Sequence, residues 1–157
     1  MTIREADYQD IPAIIEIGKL AIGESKLSEI CTVDERRAFG LLYQCITNHA
    51  EPAPYANAVF VSEGEDGING LIIGTIQPAY EVTNINVVTH MLWYVAPGAS
   101  ARAGMKLLDA LHGWADRLDG PVIKRHLVHD MIVDPEKTAK LFKRRGYRLT
   151  GYLFEKE

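Results

Sequence analysis

Residues 92–105 read LWYVAPGASARAGM, and the apolar stretch KLLDALHGWA at 106–115 follows them directly. The first four residues are large and apolar and predict the end of a β-strand, whereas the second stretch has the apolar spacing of a helix. The loop between them consists mostly of small residues, so the free N–H groups at the helix start stay open to a ligand. Together with the helix dipole and the cation of Arg102, this arrangement suits a pyrophosphate.

Upstream of this segment the sequence predicts four strands. The β-rich runs at 58–61 and 71–76 indicate an antiparallel hairpin joined by the turn-forming GEDGING at 64–70. Residues 89–95 give the strand that leads into the small-residue loop, and residues 2–6 give a short strand at the start of the sequence. Four predicted strands, including one antiparallel hairpin, therefore precede the loop.

Two helices are expected between the first strand and the hairpin. Asp7 offers an N-cap to the first. Its buried face is formed by residues at helical spacing: Ile11, Ile14, Ile15, Gly18 and Ile22. The second helix is predicted to start at Thr32, because Thr32-Val33-Asp34-Glu35 matches the reciprocal capping box S/T-x-x-E. Its apolar stripe consists of Ala38, Leu41, Leu42 and Cys45.

Downstream of the loop, a helix is predicted from Gly104 to Gly120, where glycine ends it. Its apolar stripe consists of Leu107, Leu108, Leu111, Trp114, Ala115 and Leu118. Three further elements are a strand at 122–129, a helix from Asp134-Pro135 to Gly146, and an alternating closing strand at 148–155. The element order is therefore βααβββαβαβ, and we expect residues 1–157 to form one α/β domain.

The composition excludes some classes of function. With a formal net charge of −4, the chain lacks the basic field that binding to nucleic acid usually needs. A mildly acidic surface favours cationic substrates such as amines, although the same charge would arise from solubility alone. Cys31 and Cys45 lack the CxxC spacing of a zinc or redox site, so we expect reduced thiols and no metal. No run approaches the ~20 apolar residues of a membrane span, which predicts a cytoplasmic protein.

Over nearly its full length the chain resembles the GCN5-related N-acetyltransferases. In that family a strand ending V-x-P leads through an R/Q-x-x-G-x-G/A loop into an apolar helix, which VAP at 95–97 and the helix at 106–115 resemble. AKLFKRRGYRLTGY at 139–152 is similar to the family's A-x-x-x-Y-x-x-x-G-F segment. The resemblance implies a central mixed, mostly antiparallel sheet flanked by helices. It also implies acetyl-CoA as cosubstrate and direct transfer of the acetyl group to an amine.

The resemblance assigns cofactor contacts to two segments and one aromatic residue. The strand edge at Trp93, Tyr94 and Val95 would bind the pantetheine. The loop would bind the pyrophosphate through Ser100, Ala101, Arg102, Ala103, Gly104 and Met105. Phe142 would also contact the cofactor, at the position where the family has a tyrosine in its last helix. Two departures from the family pattern affect this assignment. Arg102 stands where glycine is usual, and Phe142 replaces a frequent general acid and has no proton to give a leaving thiolate.

Several residues are candidates for the proton transfers. His90 lies on the predicted central strand and titrates near neutral pH, although a hydrogen-bonded structural histidine is an equal alternative. Glu81 and His129 are further candidate bases. The alternative for Glu81 is a solvated carboxylate in a loop, and the alternative for His129 is a polar residue in a surface turn. Tyr147, Tyr152 or Tyr94 would supply the acid, or the thiolate would leave unaided. Tyr147 also fits a core position.

The acceptor is expected to bind at residues 22–34 and 78–88, which carry no diagnostic pattern. A homodimer is a further hypothesis. Two alternatives stay open. One is an inactive domain of the same fold that binds CoA or another ligand as a sensor or assembly module. The other is an unrelated α/β domain with a ferredoxin-like sheet, which predicts no open helix start near Gly104.

Overall fold

The computed structural model describes residues 1–100, 102–118, 122–125 and 135–151. Within these ranges five strands form one sheet in the order β1-β2-β3-β4-β5. Their bounds are β1 (Thr2–Glu5), β2 (Asn57–Gly64), β3 (Gly67–Pro78), β4 (Asn86–Val95) and β5 (Val122–Arg125). The first four strands pair antiparallel in sequence order, and β5 pairs parallel to β4. The expected mixed, mostly antiparallel sheet is confirmed.

Four α-helices accompany the sheet in the described part of the chain: α1 (Ile11–Gly23), α2 (Glu35–Thr47), α3 (Ala103–Ala115) and α4 (Pro135–Arg144). The predicted order of elements is correct through α4. The predicted closing strand differs, because residues 148–151 have no strand structure and residues 152–157 lie outside the described ranges. The predicted C-terminal part of β5, residues 126–129, also lies outside them. None of the helices described is long and apolar enough to cross a bilayer.

The starts of the first two helices differ from the prediction. Asp34, not Thr32, caps α2, because its carboxylate accepts a hydrogen bond of 3.1 Å from the N–H of Arg37. Asp34 lies next to the first helical residue and reaches the free amide, whereas Thr32 lies two residues too early. Asp7 accepts a hydrogen bond of 2.8 Å from the N–H of Gln9, but it caps a single 3-10 turn, and α1 begins only at Ile11.

The sheet is covered on both faces. Successive residues of β2 point to opposite sides, as the strand period requires. One apolar cluster lies beneath α3 and includes Ala58, Phe60, Ile72, Ile76, Val88, Leu107, Leu108, Leu111 and Trp114. The other lies beneath α1 and α2 and includes Ile11, Ile14, Ile15, Leu42, Cys45, Val59, Val61, Leu71 and Ile73. β2 and β3 therefore lie at the centre of the fold, between the two clusters.

Candidate active site

β4 is irregular at its midpoint. Gly74 of β3 lies opposite His90, and the preceding residue of β3, Ile73, lies opposite Leu92. Met91 is therefore an extra residue in β4, which is the definition of a β-bulge. A bulge bends the strand, raises its local twist and takes one backbone unit out of the regular ladder. The direction of β4 consequently changes just before the segment that the sequence analysis assigned to the cofactor.

The outer edge of β4 is paired only over its first residues. Asn86, Val87 and Val88 lie opposite residues of β5. No strand of the described ranges pairs with the outer edge of residues 89–95. An unpaired edge presents a row of backbone N–H and C=O groups that an extended ligand can bind as an added strand.

The loop after β4 turns sharply toward α3. The N–H of Ala96 donates a hydrogen bond of 2.9 Å to the carbonyl of Asn69 at the end of the ladder, and the N–H of Ala99 donates one of 3.2 Å to the carbonyl of Ala96. Gly98 adopts a φ of 85°, in the left-handed region that favours glycine. The chain therefore reverses within a few residues and brings the start of α3 beside the end of β4.

Two of the backbone donors assigned to the pyrophosphate are already bonded within the loop. The N–H of Ala103 donates to the carbonyl of Ser100 over 2.8 Å, and the N–H of Arg102 donates to the hydroxyl of Ser100 over 3.3 Å. The N–H of Gly104 has no acceptor among the residues that the structure describes, which do not include Ala101. The loop thus offers fewer free amides than the sequence suggested.

The side chains of the loop and of the first helical turn differ in their exposure to solvent. Arg102 is exposed directly before α3 and makes no side-chain cap, so its charge adds to the positive end of the helix dipole. Ala103 is fully buried, and Met105 packs against the cluster beneath α3. The side chains of Ala103 and Met105 therefore pack inward, whereas Arg102 offers a cation.

Trp93 connects β4 to α3. Its indole Nε1 donates a hydrogen bond of 3.1 Å to the carbonyl of Gly104. A Cβ added at Gly104 would lie 3.5 Å from Val95 and 3.6 Å from the indole, so strand and helix start are already in contact. The indole stacks on Phe142 with 5.7 Å between ring centroids and 15° between planes. Trp93, Val95 and Phe142 are thus brought together, and Phe142, at 6% exposure, packs in the core.

Tyr94 points to the opposite face of β4 and packs against the cluster beneath α1 and α2. Its hydroxyl oxygen is buried, and it makes no hydrogen bond of good geometry to a described residue, although the side chain of Glu24 interacts with it. Burial raises the pKa of the phenol to about 12, and the carboxylate of Glu24 adds to the rise. The phenol therefore stays protonated at neutral pH.

The candidate bases lie in different places. His90 is half-buried on β4 and turns its ring edge-on to Trp93, with 6.0 Å between centroids. Glu81 is exposed in a 3-10 turn with a φ of 61°, beyond the start of β4 at Asn86. His90 lies about 13 Å farther along the strand from Asn86 at ~3.3 Å per residue. The two candidates are not brought together, and His129 lies outside the described residues.

Tyr147 belongs to the contact between α3 and α4. Its hydroxyl lies 3.1 Å from Nε2 and 3.2 Å from Nδ1 of His112. Nearby, Arg145 holds both carboxylate oxygens of Asp109 at 3.0 Å. Tyr147 also packs on Phe142 and on the cluster beneath α3. These contacts account for Tyr147 as an anchor of α4, and Tyr152 lies outside the described residues.

Sequence reasoning missed two features of the site. The bulge at Met91 leaves no mark in the sequence THMLWYV, because it is defined only by pairing with β3. Glu24, which follows α1, belongs to no motif and becomes relevant only because tertiary packing places its carboxylate near Tyr94. The segments expected to bind the acceptor are largely exposed, and Tyr80 at the β3–β4 turn is 92% exposed.

No protein-family model matches the sequence, and no curated protein matches it. Solved structures do match. AAC(6')-Iy in complex with the bisubstrate analogue CoA-S-monomethyl-acetylneamine gives a TM-score of 0.73 at 14% identity, with 99% of this chain and 96% of that chain covered. A Clostridium acetobutylicum "predicted acetyltransferase with acetyl-CoA" gives 0.71 at 17% identity, covering 99% and 95%. A Trypanosoma brucei acetyltransferase gives 0.69 at 16%, covering 99% and 98%.

At these identities the similarity shows the fold and extends over nearly the whole length of each chain. The ferredoxin-like alternative is excluded, because the matched structures share the sheet and helix arrangement described above. The helix start after a small-residue loop, and the outer edge of β4 that has no strand partner in the described ranges, agree with the resemblance stated from the sequence. The chain has the fold of the GCN5-related N-acetyltransferases.

Proposed function

We propose that this chain is an acetyl-CoA-dependent N-acetyltransferase that moves an acetyl group to a primary amine by direct attack. The observation that carries the proposal is the second half of β4, residues 89–95, whose outer edge has no strand partner within the described ranges; it begins beside the bulge at Met91 and ends at the start of α3. Two of the similar solved structures hold acetyl-CoA or a CoA bisubstrate analogue on this fold. An extended thioester and a diphosphate are the two ligand parts that such an edge and helix start would suit.

In this proposal the pantetheine lies along the backbone of Trp93, Tyr94 and Val95 as an added strand. The diphosphate lies at the start of α3, where the N–H of Gly104 and the guanidinium of Arg102 face it. Trp93 keeps these two parts of the site in register through its bond to the Gly104 carbonyl. Because Ser100 already accepts from two loop amides, we expect a modest affinity for the diphosphate.

The chemistry needs no covalent enzyme intermediate. The amine nitrogen attacks the thioester carbonyl carbon, the new C–N bond forms, the C–S bond breaks, and CoA leaves as a thiolate. His90 would accept the proton of the amine, directly or through water. A backbone N–H near the bulge at Met91 would stabilise the developing oxyanion. The thiolate would take its proton from solvent, since Phe142 has none to give and a thiol with a pKa near ~8.5 is a tolerable leaving group.

The second candidate is a domain of the same fold that binds CoA without catalysis. Two observations favour it: Phe142 is a buried core residue without an acidic proton, and Ser100 occupies the amides of Arg102 and Ala103. Such a domain would still bind the cofactor along β4 but would release no free thiol in the presence of amines.

Calorimetry with acetyl-CoA, followed by a thiol-release assay on a panel of primary amines, separates the two candidates. The transferase predicts binding in the micromolar range and amine-dependent release of free CoA. His90→Ala should then lower the rate while leaving the dissociation constant of acetyl-CoA within about twofold. Binding without turnover on the whole panel would favour the second candidate. Failure of acetyl-CoA to bind or to raise the melting temperature would refute both.

A further inference from the structure

Three aromatic side chains form an exposed stack on the outer side of α2. Tyr8, in the turn before α1, stacks on Tyr43 with 4.8 Å between ring centroids, and Tyr43 stacks on Phe39 with 6.4 Å between centroids. Each residue is close to half exposed, at 48%, 51% and 50% respectively. The hydroxyl oxygens of Tyr8 and Thr47 lie 3.0 Å apart, which joins the turn to the last turn of α2. We call Tyr8, Phe39 and Tyr43 the aromatic patch.

The aromatic patch leaves a contiguous apolar area in contact with water. A fully covered aromatic side chain buries about 150–250 Å², so three half-covered rings expose roughly 300 Å² together. An apolar patch of about this size on a protein surface is often a site of interaction. The buried residues of α2, Leu42 and Cys45, lie on another side of the helix, so the patch adds nothing to the core beneath it. Tyrosine and phenylalanine are also enriched in protein–protein interfaces.

An exposed charge lies at each end of the aromatic patch. Arg36 precedes Phe39 by three residues in α2 and therefore lies on the same side of the helix. Asp7 adjoins Tyr8 at the other end, and its carboxylate accepts only the N–H of Gln9. Neither Arg36 nor Asp7 forms an ion pair with a residue that the structure describes. The patch is thus positive at the start of α2 and negative near its end, in the same sense as the helix dipole.

This distribution of charge is complementary to itself. In a twofold dimer one surface meets an identical one, so residue i contacts residue j and j contacts i. If two copies of α2 pack antiparallel, Arg36 of one copy can lie beside Thr47 of the other, about 16 Å along the helix, and so near Asp7. The same register brings Phe39 beside Tyr43 of the second copy, because the two pairs have nearly the same midpoint. The helix dipoles then also oppose each other favourably.

We propose that the aromatic patch is the centre of a twofold homodimer interface, in which Arg36 of each copy pairs with Asp7 of the other. A second copy supplies the aromatic rings and both charges at the matching spacing, which is why we assign it as the partner. A stable interface buries about 800 Å² on each partner, so the patch would form its core and the rest of α2 its rim.

The proposed interface is separate from the candidate active site. α1 packs on β3 and α2 packs on β2, so α2 lies on the part of the sheet that is farther from β4. The aromatic patch contains none of the residues assigned to the cofactor. The dimer therefore does not depend on the transferase activity, and its test needs no substrate.

The test reverses one charge at a time and then mixes the two variants. Arg36→Asp places two carboxylates at each contact, and Asp7→Arg places two guanidinium groups there. Each variant alone should therefore raise the dissociation constant of the dimer at least about tenfold, as measured by analytical ultracentrifugation. In a 1:1 mixture the new carboxylate of the first variant meets the new guanidinium of the second. The native Arg36 of the second variant meets the native Asp7 of the first, so heterodimers should form with nearly wild-type affinity.

Two further variants test the aromatic core and the position of the charge. Phe39→Ser should raise the dissociation constant of the dimer at least about thirtyfold, as expected for a residue at the centre of an interface. Tyr55→Ser is its control, because Tyr55 is 71% exposed and lies outside the aromatic patch. Arg37→Asp is the control for charge, since Arg37 is turned about 100° around α2 from Arg36. Both controls should keep the wild-type dissociation constant, and circular dichroism should show that every variant is folded.

Each other outcome has a definite meaning. A wild-type chain that stays monomeric up to about 1 mM would overturn the second copy as the partner of the patch. A dimer that Phe39→Ser and both charge reversals leave unchanged would form through another face and would also overturn the proposal. Weakened variants that do not recover on mixing would refute the pairing of Arg36 with Asp7. Recovery on mixing supports the twofold interface, and it also shows that both variants fold.

Discussion

The indole Nε1 of Trp93 donates a hydrogen bond of 3.1 Å to the carbonyl oxygen of Gly104, and this bond joins the end of β4 to the first turn of α3. The strand edge would bind the thioester arm of the cofactor, and the helix start would bind its diphosphate. One side chain therefore sets the distance between the two halves of the proposed site. Stacking of the indole on Phe142 limits its movement further.

Trp93→Phe should weaken both stability and cofactor binding. Loss of the hydrogen bond is expected to lower the free energy of unfolding by about 1 kcal/mol and to raise the dissociation constant of acetyl-CoA several-fold. Trp114→Phe is the matched control, because Trp114 Nε1 donates a similar bond of 3.2 Å to the carbonyl of His49. Denaturant titration should show similar losses for both variants, and calorimetry a change for Trp93→Phe alone. Equal affinities in the two variants would contradict the role of Trp93.

Gly74→Ala should destabilise the protein. A Cβ at Gly74, in the middle of β3, would collide with the side chain of Leu111 of α3, which is itself buried. Forcing an extra methyl group into a packed core typically costs about 1–3 kcal/mol. Gly40→Ala is the opposite case, because nothing lies within 4 Å of the new Cβ and the site is an exposed helix interior. It should stabilise by up to about 1 kcal/mol. Chemical denaturation measures the free energy of unfolding of both variants. A loss of stability in Gly40→Ala would contradict the open surroundings described for Gly40.

Cys45 should make stability depend on alkaline pH. Burial raises the pKa of its thiol from 9.0 to about 11, so the unfolded chain loses this proton first as the pH rises. The contribution of the protonated Cys45 thiol to the free energy of unfolding is fully present below pH 9 and is lost between pH 9 and 11. The slope is at most about 1.4 kcal/mol per pH unit for one group.

Cys45→Ala provides the comparison, since every other titrating group, including Tyr94, is present in both proteins. Urea titrations between pH 8.5 and 11 should show that the free energy of unfolding falls less steeply with pH in the variant. The difference in slope corresponds to on the order of one proton per molecule. The variant should also be less stable at neutral pH, because a buried side chain is shortened. Parallel pH profiles would show that the thiol ionises equally in the folded and unfolded states.

Arg102→Ala should weaken acetyl-CoA binding without affecting the fold. The guanidinium is exposed beside the positive end of α3, and we expect its removal to raise the dissociation constant about three- to tenfold at low salt. The difference should shrink at high ionic strength, because exposed charges are screened. Arg37→Ala on α2, where the side chain is 89% exposed, should leave binding unchanged. An equal affinity for wild type and Arg102→Ala at low salt would remove Arg102 from the site.

The α2 start illustrates where local patterns were insufficient. Two residues, Thr32 and Asp34, both have side chains that cap helices, and the sequence fits a start after either. The structure uses Asp34, whose carboxylate reaches the N–H of Arg37. Spacing alone does not decide between two overlapping caps, because the choice depends on how α2 packs on the sheet. The predicted apolar stripe of α2 was more accurate, since Leu42 and Cys45 are buried, although Leu41 is 43% exposed.

The sequence by itself determined the order of the elements through α4 and the small-residue loop between β4 and α3. These properties follow from the spacing of apolar side chains and from turn-forming residues, which act over a few neighbouring positions. Only the tertiary structure decided the bulge at Met91, the bond from Trp93 to Gly104, and the proximity of Glu24 to Tyr94. Each of these joins elements that are distant in sequence or depends on the register between strands, and no local pattern encodes such a relationship.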